Sequence, residues 1–348
     1  MRRLLAALAL ALVAALMGCG GTTDVREPDL VVRGDDAVPA RPSPEATPER
    51  SQGLRVAAAR IAVVSHGQAS DSFWSIVKKG VDDAGDQTGV AVSYRAPDKY
   101  SVDRMRRLID EAIADRLDGL VVSLPDVAAL APAIRRAEQA GIPVVSINSG
   151  SDQFRELGIL AHVGQPEWRA GFESGRRMAR AGIRNALCVN QEIGNAGLKL
   201  RCQGFGEGMR RSGGHTRTIA IELQDRGQAQ RRIAQAISSG AFDGVITLGP
   251  GGAEPALAAL TASGLGGQVK LATFDLSPAV LQALRARRLL FAVDQQPYLQ
   301  GYLPIVLLAE RSRHLLFPAR GELIPTGPDF VTPETAADVI ELSRRGYR

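Results

Sequence analysis

Short apolar runs alternate with amphipathic segments from residue 60 onward. The run 61–65 is β-branched and predicts a buried strand, whereas apolar residues between Trp74 and Ala84 recur at helical spacing. The same alternation predicts further strands at 90–94, 119–124, 142–147, 185–190, 216–223, 243–248, 269–274 and 289–293. It predicts helices at 74–88, 102–115, 127–140, 166–181, 198–212, 228–239, 253–263, 277–287 and 298–312. A crossing segment is expected near 160–164, and the tail is expected to be irregular before a short helix at 333–344.

Strands of this kind are apolar on both faces, as parallel strands covered by helices must be. The order of elements therefore predicts an α/β fold with two doubly wound parallel-sheet lobes of the Rossmann type. In such sheets ligands bind beyond the carboxyl ends of the strands, where loops lead into helix N-termini. Candidate site residues are therefore sought in those loops.

The N-terminal residues have the pattern of a bacterial lipoprotein leader. Arg2 and Arg3 precede an apolar run of about 15 residues, too short for a bilayer that needs about 20, and Cys19 follows it. We expect residues 1–19 to be removed as a signal peptide and Cys19 to be lipidated. A plain secretory signal stays open as an alternative, because Met17 is not the usual small residue. Residues 20–57 hold five prolines and predict a disordered tether.

Composition narrows the possible partners. Net charge falls from +5 to about +3 without the leader arginines, too weak a bias to indicate nucleic acid. The four histidines have no metal-ligand spacing, so neither a metal nor a cofactor is expected. With Cys19 lipidated, Cys188 and Cys202 remain, and in an oxidising compartment they are expected to pair, two buried free thiols being the alternative.

An enzyme is the competing class of protein. The segment 249–254 follows a strand and opens a helix, like a dinucleotide-binding fingerprint, with Asp275 after the next strand. Its third glycine is replaced by Glu254, and the segment lies in the wrong strand-helix unit for that fold. Nucleophile-elbow, phosphate-loop and zinc-protease motifs do not occur in the sequence. A nucleotide-dependent enzyme therefore stays a remote alternative, and catalysis is not expected.

Several local patterns together resemble the type I periplasmic sugar-binding proteins, of the ribose and galactose kind, that feed bacterial importers. These are the strand 60–65 with Phe73-Trp74, the strands 118–123 and 141–148, His162-Val163-Gly164, the Arg-x-x-Gly-Phe pattern at 201–205, Thr273-Phe274-Asp275, and Gln295-Gln296-Pro297-Tyr298. The resemblance implies two lobes joined by a multi-strand hinge. It divides the chain into an N-terminal lobe (58–163 and about 297–325) and a C-terminal lobe (164–296 and about 326–348).

The resemblance also implies a sugar site between the lobes. Phe73 and Trp74 would supply apolar planes for a sugar ring, although both could instead pack in the core. The predicted ligand contacts are His66, Asp71, Phe73, Trp74, Asn148, Lys199, Arg201, Asp275 and Gln295. Asp275 could instead cap the next helix, and either Lys199 or Arg201 could instead hold the helix start or bridge to Asp275. Leu124 and Gly249 stand where the family often has polar side chains, so the ligand need not be ribose.

The resemblance implies that the protein captures a small carbohydrate or polyol and delivers it to an ABC permease. A periplasmic sensor for a membrane kinase or chemoreceptor is the alternative output. The leader places the protein in the periplasm or on the outer face of the cytoplasmic membrane, held by a lipid anchor. Nucleic acid is not an expected partner, and a monomer is the state that the resemblance implies.

Overall fold

The computed structural model describes residues 58–67, 71–223 and 225–348, which form two α/β lobes, each on a six-stranded sheet. The strands are β1 (Arg60–Val64), β2 (Ala91–Arg95), β3 (Gly119–Ser123), β4 (Val144–Ile147), β5 (Ala161–Gly164), β6 (Asn185–Asn190), β7 (His215–Ala220), β8 (Gly244–Thr247), β9 (Lys270–Phe274), β10 (Ala292–Asp294), β11 (Glu322–Pro325) and β12 (Asp329–Val331). The helices are α1 (Ser72–Thr88), α2 (Val102–Ala114), α3 (Val127–Gln139), α4 (Glu167–Arg180), α5 (Ala196–Arg211), α6 (Arg226–Ser239), α7 (Pro250–Ala262), α8 (Pro278–Arg285), α9 (Pro297–His314) and α10 (Ala336–Arg344). The predicted leader, tether and Cys19 lie outside the described residues.

The two sheets have matching strand orders. The first is β11-β5-β4-β3-β1-β2 and the second is β12-β10-β9-β8-β6-β7. Neighbouring strands are parallel except β12, which runs antiparallel to β10. The chain passes between the sheets after β5, after β10 and between β11 and β12. The predicted fold class, two parallel-sheet lobes with a multi-strand hinge, is confirmed, whereas the predicted residue boundaries of the lobes stay predictions.

The predicted secondary structure was wrong about the tail and about the burial of the edge strands. The tail after α9 is not wholly irregular, because β11 and β12 each add an edge strand to one sheet. These strands have four and three residues, too few for a periodic pattern to be visible. The strands are also not all buried on both faces, since β7 is mostly exposed and lies at a sheet edge.

Helix starts face the carboxyl ends of the strands, where the site is expected. Six of these helices begin at a side chain that accepts a hydrogen bond from the first turn, at Asp71, Ser101, Asp126, Asn195, Asp225 and Ser277. Ser277, not Asp275, caps α8. Ser277 therefore fills the capping role that was considered for Asp275, and the Asp275 carboxylate does not cap this helix.

Candidate functional site

A cavity of about 550 Å³ lies between the carboxyl ends of the two sheets. Its volume is within the range of small-molecule sites. Both lobes contribute to its lining, which consists of His66, Gly67, Asp71, Phe73, Trp74, Asp98, Lys99, Tyr100, Asn148, Gln191, Glu192, Leu198, Arg201, Leu223, Leu248, Gly249, Pro250, Gly251, Asp275 and Gln295. Eight of the nine predicted ligand contacts are in this set, and Lys199 is the exception.

An aromatic wall on the first lobe forms one side of the cavity. The rings of Phe73 and Trp74 meet edge to face with centroids 5.1 Å apart, and the His66 ring lies 4.8 Å from Trp74. Tyr100 approaches His66 from the loop after β2, at 6.0 Å. Phe73 and Trp74 are buried in the lobe core and also line the cavity, so packing in the core does not exclude the predicted ligand contact. Apolar ring faces of this kind suit the C–H faces of a sugar or cyclic polyol.

Local backbone features hold this wall in place. A Cβ atom at Gly67 would overlap the indole of Trp74, so glycine lets that ring pack against the loop after β1. Asp71 Oδ1 caps α1 by accepting from the Phe73 and Trp74 amides, at 2.9 and 3.4 Å. Burial raises the pKa of Asp71, and the two amide bonds offset part of that rise. Asp71 thus orients the helix start that carries both aromatic rings and lines the cavity itself.

A chain of buried polar side chains forms the floor of the cavity. Asn148, after β4, donates to Gln295 Oε1 at 3.3 Å, and Gln295 Nε2 donates to Asp275 Oδ1 at 2.6 Å. Gln300 on α9 donates to Gln295 Oε1 at 3.0 Å and accepts from Asn148 Nδ2 at 3.4 Å. Because Gln295 Oε1 accepts from two amides, its own NH2 group must face Asp275. The floor therefore joins the end of a first-sheet strand to the end of a second-sheet strand.

Asp275 occupies a left-handed backbone conformation, φ 62°, at the end of β9. Burial raises the pKa of its carboxyl to about 7, although Arg201 and the Gln295 amide both favour the ionised form. Asn148, at φ 60°, has the same unusual conformation at the end of β4. A left-handed backbone at a non-glycine residue costs free energy, so it persists only where the surrounding structure enforces it. Residues of this kind cluster at functional sites.

Arg201 is fully buried and belongs to an ion pair behind the floor. Its Nε and Nη2 atoms donate to the two carboxylate oxygens of Glu167, at 2.5 and 2.9 Å, and Nη1 donates to the Leu248 carbonyl at 3.2 Å. Asp275 Oδ2 lies 4.0 Å from Nη1. Burial alone would lower the pKa of Arg201, but Glu167 outweighs it and raises that pKa. The bridge from Arg201 to Asp275 considered from sequence is therefore a long contact, and Glu167 is the main partner.

The structure does not bring Lys199 to the cavity. Leu198, Arg201, Cys202 and Phe205 share the buried face of α5, and Lys199 lies on the opposite, exposed face. The residue-by-residue resemblance selected Lys199, but the helical phase points Arg201 inward instead. Leu124 is buried and is not among the residues that line the cavity, whereas Gly249 lines it beside Gln191.

Cys188 and Cys202 form a disulfide in the structure, with Cα atoms 5.9 Å apart. It joins β6 to α5, the helix that carries Arg201. The alternative of two buried free thiols is thus not the arrangement seen.

Sequence reasoning missed Tyr100, Gln191, Glu192, Leu223 and Glu167. The first four lie in loops that follow strands, where ligand contacts were sought, but no local motif separates them from their neighbours. Glu167 opens α4, the helix after the first lobe crossing, and it is buried. A carboxylate among buried residues at a helix start would have indicated a cationic partner.

The described part of the chain holds neither a metal-ligand cluster nor a helix suited to span a membrane. Across residues 58–67, 71–223 and 225–348, we find no group of three or more His, Cys, Asp or Glu side chains that could hold a metal ion. None of the helices in the same residues is both long and apolar enough to cross a membrane.

Two lobes on parallel sheets, joined by three crossings around a polar and aromatic cavity, define a two-lobed ligand-binding protein. The periplasmic binding protein domain family matches residues 61–313, and the chain belongs to that family.

Curated relatives include a xylose/arabinose-binding protein of Sulfolobus acidocaldarius, 28% identical over 255 residues, which are 68% of this chain and 62% of the relative. A D-ribose/D-allose-binding protein of Pseudomonas aeruginosa is 25% identical over 217 residues, 59% of this chain and 66% of the relative. The matches thus span just under two thirds of these relatives.

A solved structure of a carbohydrate transporter from Acidothermus cellulolyticus, in complex with myo-inositol, is 34% identical with a TM-score of 0.78. That comparison covers 84% of this chain and all of the other. A glucose-galactose binding protein from Geobacillus stearothermophilus, 23% identical with a TM-score of 0.71, shares the fold over 80% of this chain and 98% of its own.

Proposed function

We propose that this protein is an extracytoplasmic solute-binding protein that captures a small uncharged carbohydrate or cyclic polyol and delivers it to an ABC permease. The observation that carries the proposal is the cavity between the lobes, with an aromatic wall on one lobe and a hydrogen-bonding floor that spans both. Family membership and the myo-inositol bound by a 34% identical protein support it.

The charges around the cavity favour an uncharged ligand. Asp71, Asp98, Glu192 and Asp275 line it, against Lys99 and Arg201 as cations. Arg201 is already neutralised by two hydrogen bonds to Glu167. A carboxylate or phosphate on the ligand would therefore meet an excess of negative charge, whereas hydroxyl groups can donate to Asp275 and Asn148 Oδ1.

A thermal-shift screen tests this proposal, because a ligand that binds only the folded form raises the melting temperature. Myo-inositol, pentoses and hexoses form one set, and the matching uronic acids and sugar phosphates form the other. We expect a hit in the first set and none in the second. Hits confined to amino acids or purines would contradict the proposed ligand class.

An isosteric substitution tests the floor. Asp275→Asn keeps the shape of the side chain and removes a carboxylate acceptor, so at pH 8, where that carboxyl is ionised, affinity for the hit compound should fall roughly tenfold to a hundredfold. The matched control is Asp225→Asn, at an exposed cap of α6. Isothermal titration of both variants gives the comparison, and equal affinities would remove Asp275 from the site.

The leader sequence supports attachment of the protein to a membrane through lipidated Cys19, with residues 20–57 as the tether. We expect the mature protein to enter the detergent phase of a phase-separation assay and Cys19→Ser to stay in the aqueous phase. The proposal further includes a monomeric state and no nucleic-acid partner. A Cys19→Ser protein that still enters the detergent phase would contradict the lipid anchor.

A further inference from the structure

Asn195 caps the helix that brings Arg201 to the cavity. It is 1% exposed, and its Oδ1 accepts from the amides of Gly197 and Leu198, at 2.9 and 3.4 Å. Leu198 and Arg201 on the same helix, α5, line the cavity. The side chain thereby fixes the start of α5 within the second lobe.

The same side chain also touches the first lobe. Ser149, after β4, has its Oγ 3.2 Å from Asn195 Oδ1, and its single hydroxyl hydrogen is shared between that atom and Asn148 Oδ1. Asn195 Nδ2 donates to Glu192 at 2.7 Å and lies 3.4 Å from His66 Nε2. Burial lowers the pKa of His66, which keeps the ring neutral, and its Nδ1 lies 2.9 Å from Ser123 Oγ. With the hydrogen on Nδ1, Nε2 is free to accept from Asn195.

A backbone hydrogen bond reinforces this contact. The amide of Ala196, the first residue of α5, donates to the carbonyl of Pro125, after β3, at 2.9 Å. Gly197 adds a close fit, because a Cβ atom there would lie 3.0 Å from Ser149 Oγ. The start of α5 thus packs directly against the loops that follow β3 and β4 of the first lobe.

We propose that Asn195, with Gly197, is a positioning site that holds α5 against the first lobe and stabilises the closed arrangement through contacts between protein groups alone. The inference rests on the proposed function, since it concerns closure over the same cavity. Part of the free energy of closure then comes from contacts in which the ligand takes no part. Asn195 consequently sets ligand affinity without being among the residues that line the cavity.

Small-angle X-ray scattering of the mature protein without ligand tests the proposal. Asn195→Ala removes the cap and the inter-lobe contacts, whereas Gly197→Ala inserts a methyl group between α5 and Ser149 and improves helix propensity. The control Asp225→Ala removes a cap in the same lobe, whose partners Gln228 and Arg231 belong to its own helix. We expect a larger radius of gyration for the two site variants and an unchanged one for the control.

Gly197→Ala separates positioning from stability. If Asn195 and Gly197 only stabilise the start of α5, Gly197→Ala should leave both the melting temperature and the radius of gyration at or near the wild-type values. If they hold α5 against the first lobe, the melting temperature should stay unchanged while the radius of gyration increases. Myo-inositol serves as the binding probe, and both site variants should bind it about fivefold to tenfold more weakly than wild type. Equal radii in all four proteins would overturn the proposal. Failure of wild type to bind myo-inositol would count against that ligand only, because the scattering comparison does not use it.

Discussion

At the scale of single residues, Glu167 determines whether the Arg201 guanidinium is available to pair with a charged ligand. A buried guanidinium beside a cavity would ordinarily indicate a ligand carboxylate or phosphate. Here two of its nitrogen atoms donate to Glu167 and a third donates to the Leu248 carbonyl. Arg201 is therefore left as a neutralised donor at the back of the site, which agrees with an uncharged ligand.

Removing the charge of Glu167 should be costly. Glu167→Gln leaves the buried guanidinium of Arg201 without its counter-ion, so the free energy of unfolding should fall by about 3 to 5 kcal/mol. The control lies on α5, the helix that carries Arg201, where Glu207 pairs with the exposed Arg210 and Arg211. Glu207→Gln should change stability far less. Urea denaturation of both variants gives the comparison, and equal losses would contradict this account of the buried pair.

The pKa of Asp275 predicts a pH dependence of stability. The folded value is about 7 against an ordinary 3.8, so between those values the native protein holds a proton that the unfolded chain has lost. By linkage, this carboxyl lowers stability progressively as pH rises from about 4 to 7, and its full cost is present above pH 7. The Asn side chain of Asp275→Asn does not titrate, so this variant does not lose stability in this way as pH rises.

The stability of Asp275→Asn relative to wild type should therefore increase by about 2 to 4 kcal/mol between pH 4.5 and pH 7.5. Urea denaturation of both proteins at pH 4.5, 6.0 and 7.5 measures the difference directly. Parallel pH profiles would show that Asp275 does not titrate within this window.

The sequence indicated most of the site residues but not their partners. Asp275, Gln295 and Asn148 could be predicted because they end strands, and strand ends meet at one edge of a parallel sheet. Glu167, Gln300 and Asn195 could not, since each matters through a contact with a residue distant in sequence, such as Asn195 with Ser149. Lys199 was selected by resemblance, and the helical phase of α5 was the better guide.

At the scale of elements, close helix crossings align the site. Helices α4 and α5 pack so tightly that a Cβ atom at Gly204 would overlap the carbonyl oxygen of Trp168, and one at Gly171 would overlap that of Arg201. This approach brings Glu167 at the start of α4 against Arg201 on α5. Gly80 and Gly301 allow the same approach between α1 and α9 in the first lobe.

Gly204→Ala should destabilise the second lobe by about 1 to 3 kcal/mol or more, because the clash is with backbone and cannot be relieved by a side-chain rotation. Gly227→Ala is the control, since the atoms nearest its Cβ would be side-chain atoms, Arg231 Nη1 and Asp225 Oδ1, each at 3.3 Å. It should be neutral or slightly stabilising through helix propensity. Thermal denaturation distinguishes the two, and equal effects would rule out the crossing as the cause.

The elements with long periodic patterns were predicted correctly, whereas the short strands that depend on a neighbouring strand were not. The apolar strands β3 and β4 and the amphipathic α2 are evident in the sequence. Strands β11 and β12 exist because β5 and β10 offer free edges to them, which is a property of the assembled sheets. No local pattern in four or three residues carries that information.

At the scale of the whole molecule, Gln300 is where the crossings meet. Its Nε2 donates to the carbonyl of Gln295, after β10, at 3.0 Å and to Thr326, after β11, at 3.2 Å. Its Oε1 accepts from Asn148 of the first lobe. One buried amide thus connects the two later crossing segments to the end of β4.

Gln300→Met keeps the length of this side chain and removes its hydrogen bonds. The groups around it lose partners while staying buried, so the free energy of unfolding should fall by about 1 to 3 kcal/mol. Gln295 would also be free to rotate its amide, so affinity for the ligand found in the screen should fall as well. Gln282→Met, on the exposed face of α8, is the control and should change neither property. A Gln300→Met protein that loses stability but keeps wild-type affinity would show that Asp275 and Asn148 hold the cavity floor without this junction.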